Sequence, residues 1–225
     1  MGLSGGRIMQ RVRIHYFKGE ALQYIGNLDL HKVWERTFRR AQVPLAYSQG
    51  FHPQPRIHQA CPLPLGFTSQ VELLDFWCDS DESLAELQAK LEKSVQPGIE
   101  IQTLTNIPLR SPALQTIVES ALYQVILPED CDLTPIQAKV NQLNGAESCL
   151  RERRGKQYDL RPLIKELTFS SSKPASITMR LMAMPGATGR PEEVLEELGI
   201  SPFVVDVVRT DLTLLSIPEE TETNA

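Results

Sequence analysis

The chain has 225 residues, enough for one or two domains and too many for a single small module. A hydrophobic share of 41% is that of a chain with a packed core, so a mainly disordered protein is excluded. The net charge of −5 conceals an asymmetry: residues 1–70 carry nine Lys or Arg against three acids, a net +6 that leaves −11 for the remainder. An acidic chain does not bind nucleic acid over its whole surface, but a basic first segment within it points to one localised site for an anion. No apolar run approaches the roughly 18 residues needed to cross a bilayer, and no membrane contact is expected. Residues 1–9 lack the charged end and apolar stretch of a secretory signal, and Gly6 breaks a myristoylation pattern. Cys61, Cys78, Cys131 and Cys149 lie too far apart in sequence for a tight metal clamp or an iron–sulfur cluster. Together these lead to a cytoplasmic protein with reduced thiols and no metal or cofactor of its own.

In chain order, residues 1–9 read as a flexible leader. Val12 to Phe17 alternates β-branched and aromatic with polar residues, as a strand does. Residues 29–41 read as a helix with Asp29 as cap and Leu30, Val33, Trp34, Phe38 and Ala41 on its apolar stripe. A turn-rich stretch follows, then strands at 56–61 and 71–78, a helix over 82–95 and a strand over 99–104. This β-α-β-β-α-β order is ferredoxin-like and defines a first domain over 10–105. Asn106, Pro108, Ser111 and Pro112 mark 106–113 as a linker. The same order then recurs over 114–216: a strand at 121–127, a helix framed by Thr134, Pro135 and Gly145, strands near 149–154 and 175–184 with irregular chain between them, a short helix from Arg190-Pro191 to Gly199, and a strand from Phe203 to Leu215. The fold class is therefore α+β, two tandem ferredoxin-like domains with antiparallel sheets. Residues 217–225 read as a disordered acidic tail.

On a helical wheel of residues 29–41, Lys32, Arg36, Arg39 and Arg40 share a face about 100° wide, opposite the apolar stripe. Only His31 and Glu35 flank it. Neighbouring cations repel one another on an isolated helix, and the planar fork of arginine suits phosphate, so the face reads as an anion site. The other reading is a solvated face neutralised by acids from the second half. The loop from Tyr47 to Arg56 offers the hydroxyls of Tyr47 and Ser48, the amide of Gln49, a flexible Gly50 and the rings of Phe51 and His52. Rings beside a basic helix are what stacking on unpaired bases requires. Arg11 and Arg13, on the strand before, extend the nucleic-acid-binding set. Arg151, Arg153, Arg154 and Lys156 form a second basic patch, either a continuation of the track or a solvated hairpin.

Catalysis has weaker support. None of His15, His31, His52 and His58 has the i, i+4 spacing of a helical metal pair, and no Gly-rich phosphate loop is present. A general-base histidine acting on a ribose hydroxyl needs no metal, and His31 or His52 near the arginines are the candidates for it.

The segments Leu28-Asp29-Leu30, Glu35-Arg36, Arg39-Arg40-Ala41, Tyr47 to Pro53, and Pro62-Leu63-Pro64-Leu65-Gly66 resemble the bacterial radical-SAM-linked domain family of unknown function. The matching block runs from about Arg11 to Trp77. Members occur fused to, or encoded beside, a radical SAM protein, so the resemblance implies an accessory partner of such an enzyme and supplies no activity. Where the family pattern has histidine before Leu-Asp, this chain has Asn27, which favours binding over catalysis. The tandem order is also similar to that of CRISPR repeat-processing endoribonucleases, an analogy of fold alone. Three readings follow: an accessory domain binding RNA or another polyanion, a module docking on an acidic protein without RNA, and a metal-independent endoribonuclease using a histidine.

Overall fold

The computed structural model describes residues 8–216. The acidic tail over 217–225 lies outside them, as does most of the leader, but Met9 is already the first residue of a strand.

The first half runs β1 (Met9–Lys18), α1 (Asn27–Arg40), β2 (Ile57–Gln59), β3 (Thr68–Asp79), α2 (Leu84–Glu92) and β4 (Ile99–Ile107). The second runs β5 (Val118–Ile126), α3 (Leu133–Gly145), the hairpin β6 (Leu150–Arg153) and β7 (Lys156–Asp159), then β8 (Ile164–Ser170), β9 (Ser176–Met184), β10 (Ala187–Thr188), α4 (Pro191–Glu197) and β11 (Asp206–Leu214). Where the sequence leads to one sheet per domain, the described residues of both halves, with the β6–β7 hairpin apart, share one nine-stranded sheet. Its path is β10-β9-β5-β11-β3-β1-β4, with β2 paired to β3 and β8 paired to β9. All pairings are antiparallel except β3 with β11, where Thr68 and Ser69 run alongside Val208 and Arg209. That short parallel contact joins the strands β4-β1-β3-β2 to the strands β11-β5-β9-β8.

α1 starts two residues earlier than its periodicity suggests. Gly26 occupies the cap position, and Asp29 lies in the first turn, where a carboxylate favours the helix dipole. Leu30, Val33, Trp34 and Phe38 are buried with Val12, Ile14 and Tyr16 of β1 and Leu74 and Phe76 of β3. Trp34 meets Tyr16 edge-on at 4.8 Å, and Phe38 lies 4.6 Å from Phe76. α2 opens with a reciprocal capping box, Ser83 with Glu86. α3 is capped by Asp132, whose carboxylate accepts from the Thr134 N–H at 3.0 Å, rather than by Thr134. A second core gathers β5, β8, β9, α3 and α4, and draws in Ala60, Leu63, Phe67 and Leu73 from the first half.

The strand β8 falls where irregular chain was expected. Its burial does not alternate, because the pairing with β9 shifts register between Ile164 and Glu166, so no period of two marks it in the sequence. Among the described residues no helix is long and apolar enough to cross a membrane.

Candidate nucleic-acid interface

Because α1 buries one stripe against the sheet, its opposite stripe is forced outward. Lys32, Arg36, Arg39 and Arg40 are all exposed on it, as the wheel requires. After Arg40 the chain turns back through Gln42, held at φ +55°, and the amide of Val43 donates to the Phe38 carbonyl at 3.1 Å. The chain then runs alongside the helix and encloses a recess of about 610 Å³. Lys32, Arg36 and Arg39 line it from the helix, and Tyr47 and Pro55 line it from the facing loop.

The charges on this stripe differ in their engagement. Lys32 approaches Asp29 at 3.3 Å, an exposed pair of the kind worth about 0–1 kcal/mol and readily exchanged. Arg40 donates to the Ser94 carbonyl at 2.6 Å, an uncharged partner. Among the described residues the one carboxylate on the recess wall is Glu35, which lies 3.3 Å from His31. Arg36 and Arg39 have no carboxylate within ion-pair distance among the described residues.

The facing loop closes on itself. Ser48 and Gln54 bond through both backbone and side chain at 2.8 and 2.9 Å, and Tyr47 bridges Pro55. Gly50 sits at φ +135°, a conformation a side chain resists. Gln49, Gly50, Phe51 and His52 therefore stand at a tip held out from the body, with Phe51 fully exposed. Arg56, at the loop's base, lies over the Trp77 ring at 4.3 Å. His52 has no hydrogen bond or ion pair with a general acid or base among the described residues, while His31 lies 3.3 Å from Glu35 and lines a different recess.

Two groups of predicted site residues are elsewhere. Arg11 and Arg13 are 2% and 7% exposed and clamp Asp75, with contacts of 2.7 Å from each guanidinium. The strand face that carries them reads as polar and outward, yet it is covered. The connection after β4 crosses it, and Arg11 donates to the carbonyls of Ser111 and Pro112 at 2.5 and 2.7 Å. These arginines are structural and are removed from the interface. In the second basic patch, Arg151 is bonded to Glu196 and Glu197, and Arg153 to Glu193 at 2.6 Å. Only Arg154 and Lys156 remain exposed, at the β6–β7 turn. The acids of α4 thus neutralise the Arg151 and Arg153 part of that patch.

A residue the sequence reading passed over, Arg209, supports the neighbouring surface. It is fully buried at the junction of the halves, bonded to Glu72 at 2.8 Å and to the Pro62 carbonyl at 2.7 Å. Its bond to the Tyr123 hydroxyl is 3.1 Å, and burial pushes that phenol up to about 12. The visible signal was an arginine inside the valine-rich run of β11 and two acids, Glu72 and Asp75, inside the apolar run of β3.

The segment after the loop forms a second recess of about 320 Å³ beside the N-terminal end of α1. His31 and His58 both line it. His58 is packed edge-on to Trp77 at 4.9 Å, and burial, then the charges of Arg11 and Arg56, lower its pKa from 6.5. His15 is lowered by burial and by Arg13. Both imidazoles stay neutral in the folded protein while the unfolded chain takes up their protons near pH 6.5. This contribution to stability is therefore present above about pH 6.5 and is lost as pH falls below it. An NMR titration should place both midpoints below 6.5; midpoints at or above that value would contradict this packing.

Among the described residues no group of three or more His, Cys, Asp or Glu is placed to hold a metal. The four cysteines carry free thiols, and burial pushes up those of Cys61, Cys78 and Cys149.

No curated protein matches the chain. Among solved structures it is similar to an unknown protein from Galdieria sulphuraria, at 14% identity over 93% of this chain and 100% of that one, with a TM-score of 0.28. It is also similar to a heavy metal efflux pump at 10% identity, over 92% of this chain and 28% of the pump, with a TM-score of 0.24. Scores this low carry no argument about fold or function. The family model of uncharacterized proteins conserved in bacteria, DUF2344, matches residues 11–191, from the start of β1 through the beginning of α4, and so spans α1, its facing loop and the buried Arg11–Asp75–Arg13 cluster. The chain belongs to this DUF2344 family of bacterial proteins.

Proposed function

We propose that this protein is a non-catalytic accessory protein that binds RNA through the exposed stripe of α1 and the loop facing it. One observation carries the reading. Several arginines elsewhere in the fold are matched with carboxylates, Arg11 and Arg13 by Asp75, Arg209 by Glu72, Arg151 and Arg153 by α4, whereas Arg40 and Arg161 meet only carbonyls. Arg36 and Arg39 are left without one and line a recess opposite an aromatic hydroxyl. Two neighbouring guanidinium groups on one recess wall, without a carboxylate to hold either, suit a visiting anion. The exposed rings of Tyr47 and Phe51 favour a strand with unpaired bases over a lone phosphate.

In the finer form of the proposal the two halves are ferredoxin-like units, each with its four-strand order and helices in the first and third connections. The partner is a radical SAM enzyme in the cytoplasm, to which this protein presents its RNA. The similarity of the α1–loop block to the radical-SAM-linked family supports that partner.

The test is equilibrium binding of a 12-nucleotide single-stranded RNA. Exchanging Arg36, Arg39 and Arg40 together for alanine should weaken binding roughly tenfold or more, since hydrogen bonds to charged groups are the stronger kind, and should leave the melting temperature unchanged. Unchanged affinity removes the proposal. Capture of an acidic protein that survives nuclease treatment, with no RNA affinity, would replace RNA with a protein partner.

A further inference from the structure

The 320 Å³ recess adjoins the basic one. His31 on its wall lies 3.3 Å from Glu35 on the wall of the other, and Pro55 and Ile57 line one recess each, two residues apart. Its chemistry is different. Among the described residues no Lys, Arg, Asp or Glu lines it, whereas Asn27, His31, His58, Gln59 and Gln115 do. Phosphate calls for cations. Amides and neutral imidazoles offer a donor and an acceptor on one side chain, the complement of a nucleobase edge.

The recess is also built rather than incidental. His58 and Gln59 belong to β2 and are fixed by its pairing with Asp75 and Leu74. The Nδ1 atom of His58 is buried and has no hydrogen-bond partner among the described residues. The far wall, Cys61 and Pro62, is held by the bonds from Arg209 to both carbonyls, at 3.4 and 2.7 Å. Such a site loses little freedom when a ligand enters. Its volume lies at the small end of ligand sites, room for a single ring system and not for a folded strand.

We infer that this recess takes one unstacked nucleobase of the RNA, read by the amides of Asn27, Gln59 and Gln115 and the imidazoles of His31 and His58, while neighbouring phosphates lie along α1. The inference rests on the reading of the α1 stripe as a phosphate surface and adds base selectivity to it.

Its test separates the two. The full chain is titrated with adenosine, guanosine, cytidine and uridine in turn, following the ring C–H resonances of His31 and His58; free nucleosides carry no phosphate. One of the four should shift both resonances saturably. Exchanging partly exposed Asn27 and exposed Gln115 for alanine (N27A/Q115A) should weaken that response about tenfold, the order expected for losing a matched pair of base contacts. The same double variant should weaken a 12-nucleotide RNA of the preferred base and leave unchanged an equally long strand lacking its bases. If none of the nucleosides shifts either resonance, the base site is overturned even if RNA binds α1. If a nucleoside shifts them but R36A/R39A/R40A leaves RNA affinity unchanged, the phosphate reading fails, and the placement of a strand along both recesses falls with it.

Discussion

Replacing Asp75 by alanine should cost about 3–5 kcal/mol, a large part of the total stability of an ordinary domain. Asp75 is fully buried in the middle of β3 and, among the described residues, is the only carboxylate for two buried guanidinium groups. Its two oxygens accept four hydrogen bonds from Arg11 and Arg13, between 2.7 and 3.0 Å. Without it, two cations remain in a low-dielectric interior, one over the Trp77 ring at 4.8 Å and tied to the Ser111 and Pro112 carbonyls. The urea midpoint should fall accordingly. Removing the whole cluster, with Arg11 and Arg13 changed to Met and Asp75 to Leu, should recover most of the loss, because the penalty belongs to the unpaired charge. A D75A protein as stable as the parent would show that these arginines reach solvent.

An effect of similar size is expected at Arg209. This side chain links β11 of the second half to Glu72 on β3 of the first and to the carbonyls of Cys61 and Pro62. Changing it to alanine leaves Glu72, 4% exposed, without its cation and leaves both carbonyls without their donor. The loss should again be about 3–5 kcal/mol. Lysine should rescue only in part, since one ammonium cannot reproduce the fork that reaches a carboxylate, a phenol and two carbonyls. The parallel contact between β3 and β11 spans two residue pairs, so this variant should also loosen the halves. Hydrogen exchange should show β11 amides losing protection more than those of β4, and equal loss in both would contradict the junction role.

The contrast between Arg36 and Arg11 shows what the sequence carries. The period of α1 separates its basic and apolar stripes within fourteen residues, so the exposed face is legible from local spacing alone. Arg11 and Arg13 alternate with apolar residues in the same way, but their partner lies 64 and 62 positions away, and only the pairing of β1 with β3 brings it alongside. Arg151 and Arg153 are matched by acids forty or more positions on. Local pattern tells which way a side chain points on its own element and leaves open what covers that face. The acids Glu72 and Asp75 in an apolar strand were the available clue, since a buried carboxylate demands a cation. The recess beneath His58 could not be read at all, because it is assembled from the start of α1, from β2 and from the turn at Gln115, which are distant in sequence.

The salt dependence of RNA affinity reports directly on whether phosphates lie against α1. Each phosphate that a protein cation neutralises on a single strand releases its counterion and contributes about 0.7 to the magnitude of the slope of log K against log salt. The intact protein should show a steep negative slope, and exchanging Arg36 and Arg39 for alanine should flatten it by about 1.4, two phosphates' worth. Identical slopes for the two proteins would mean that no phosphate lies against α1, and the account of that face would be wrong.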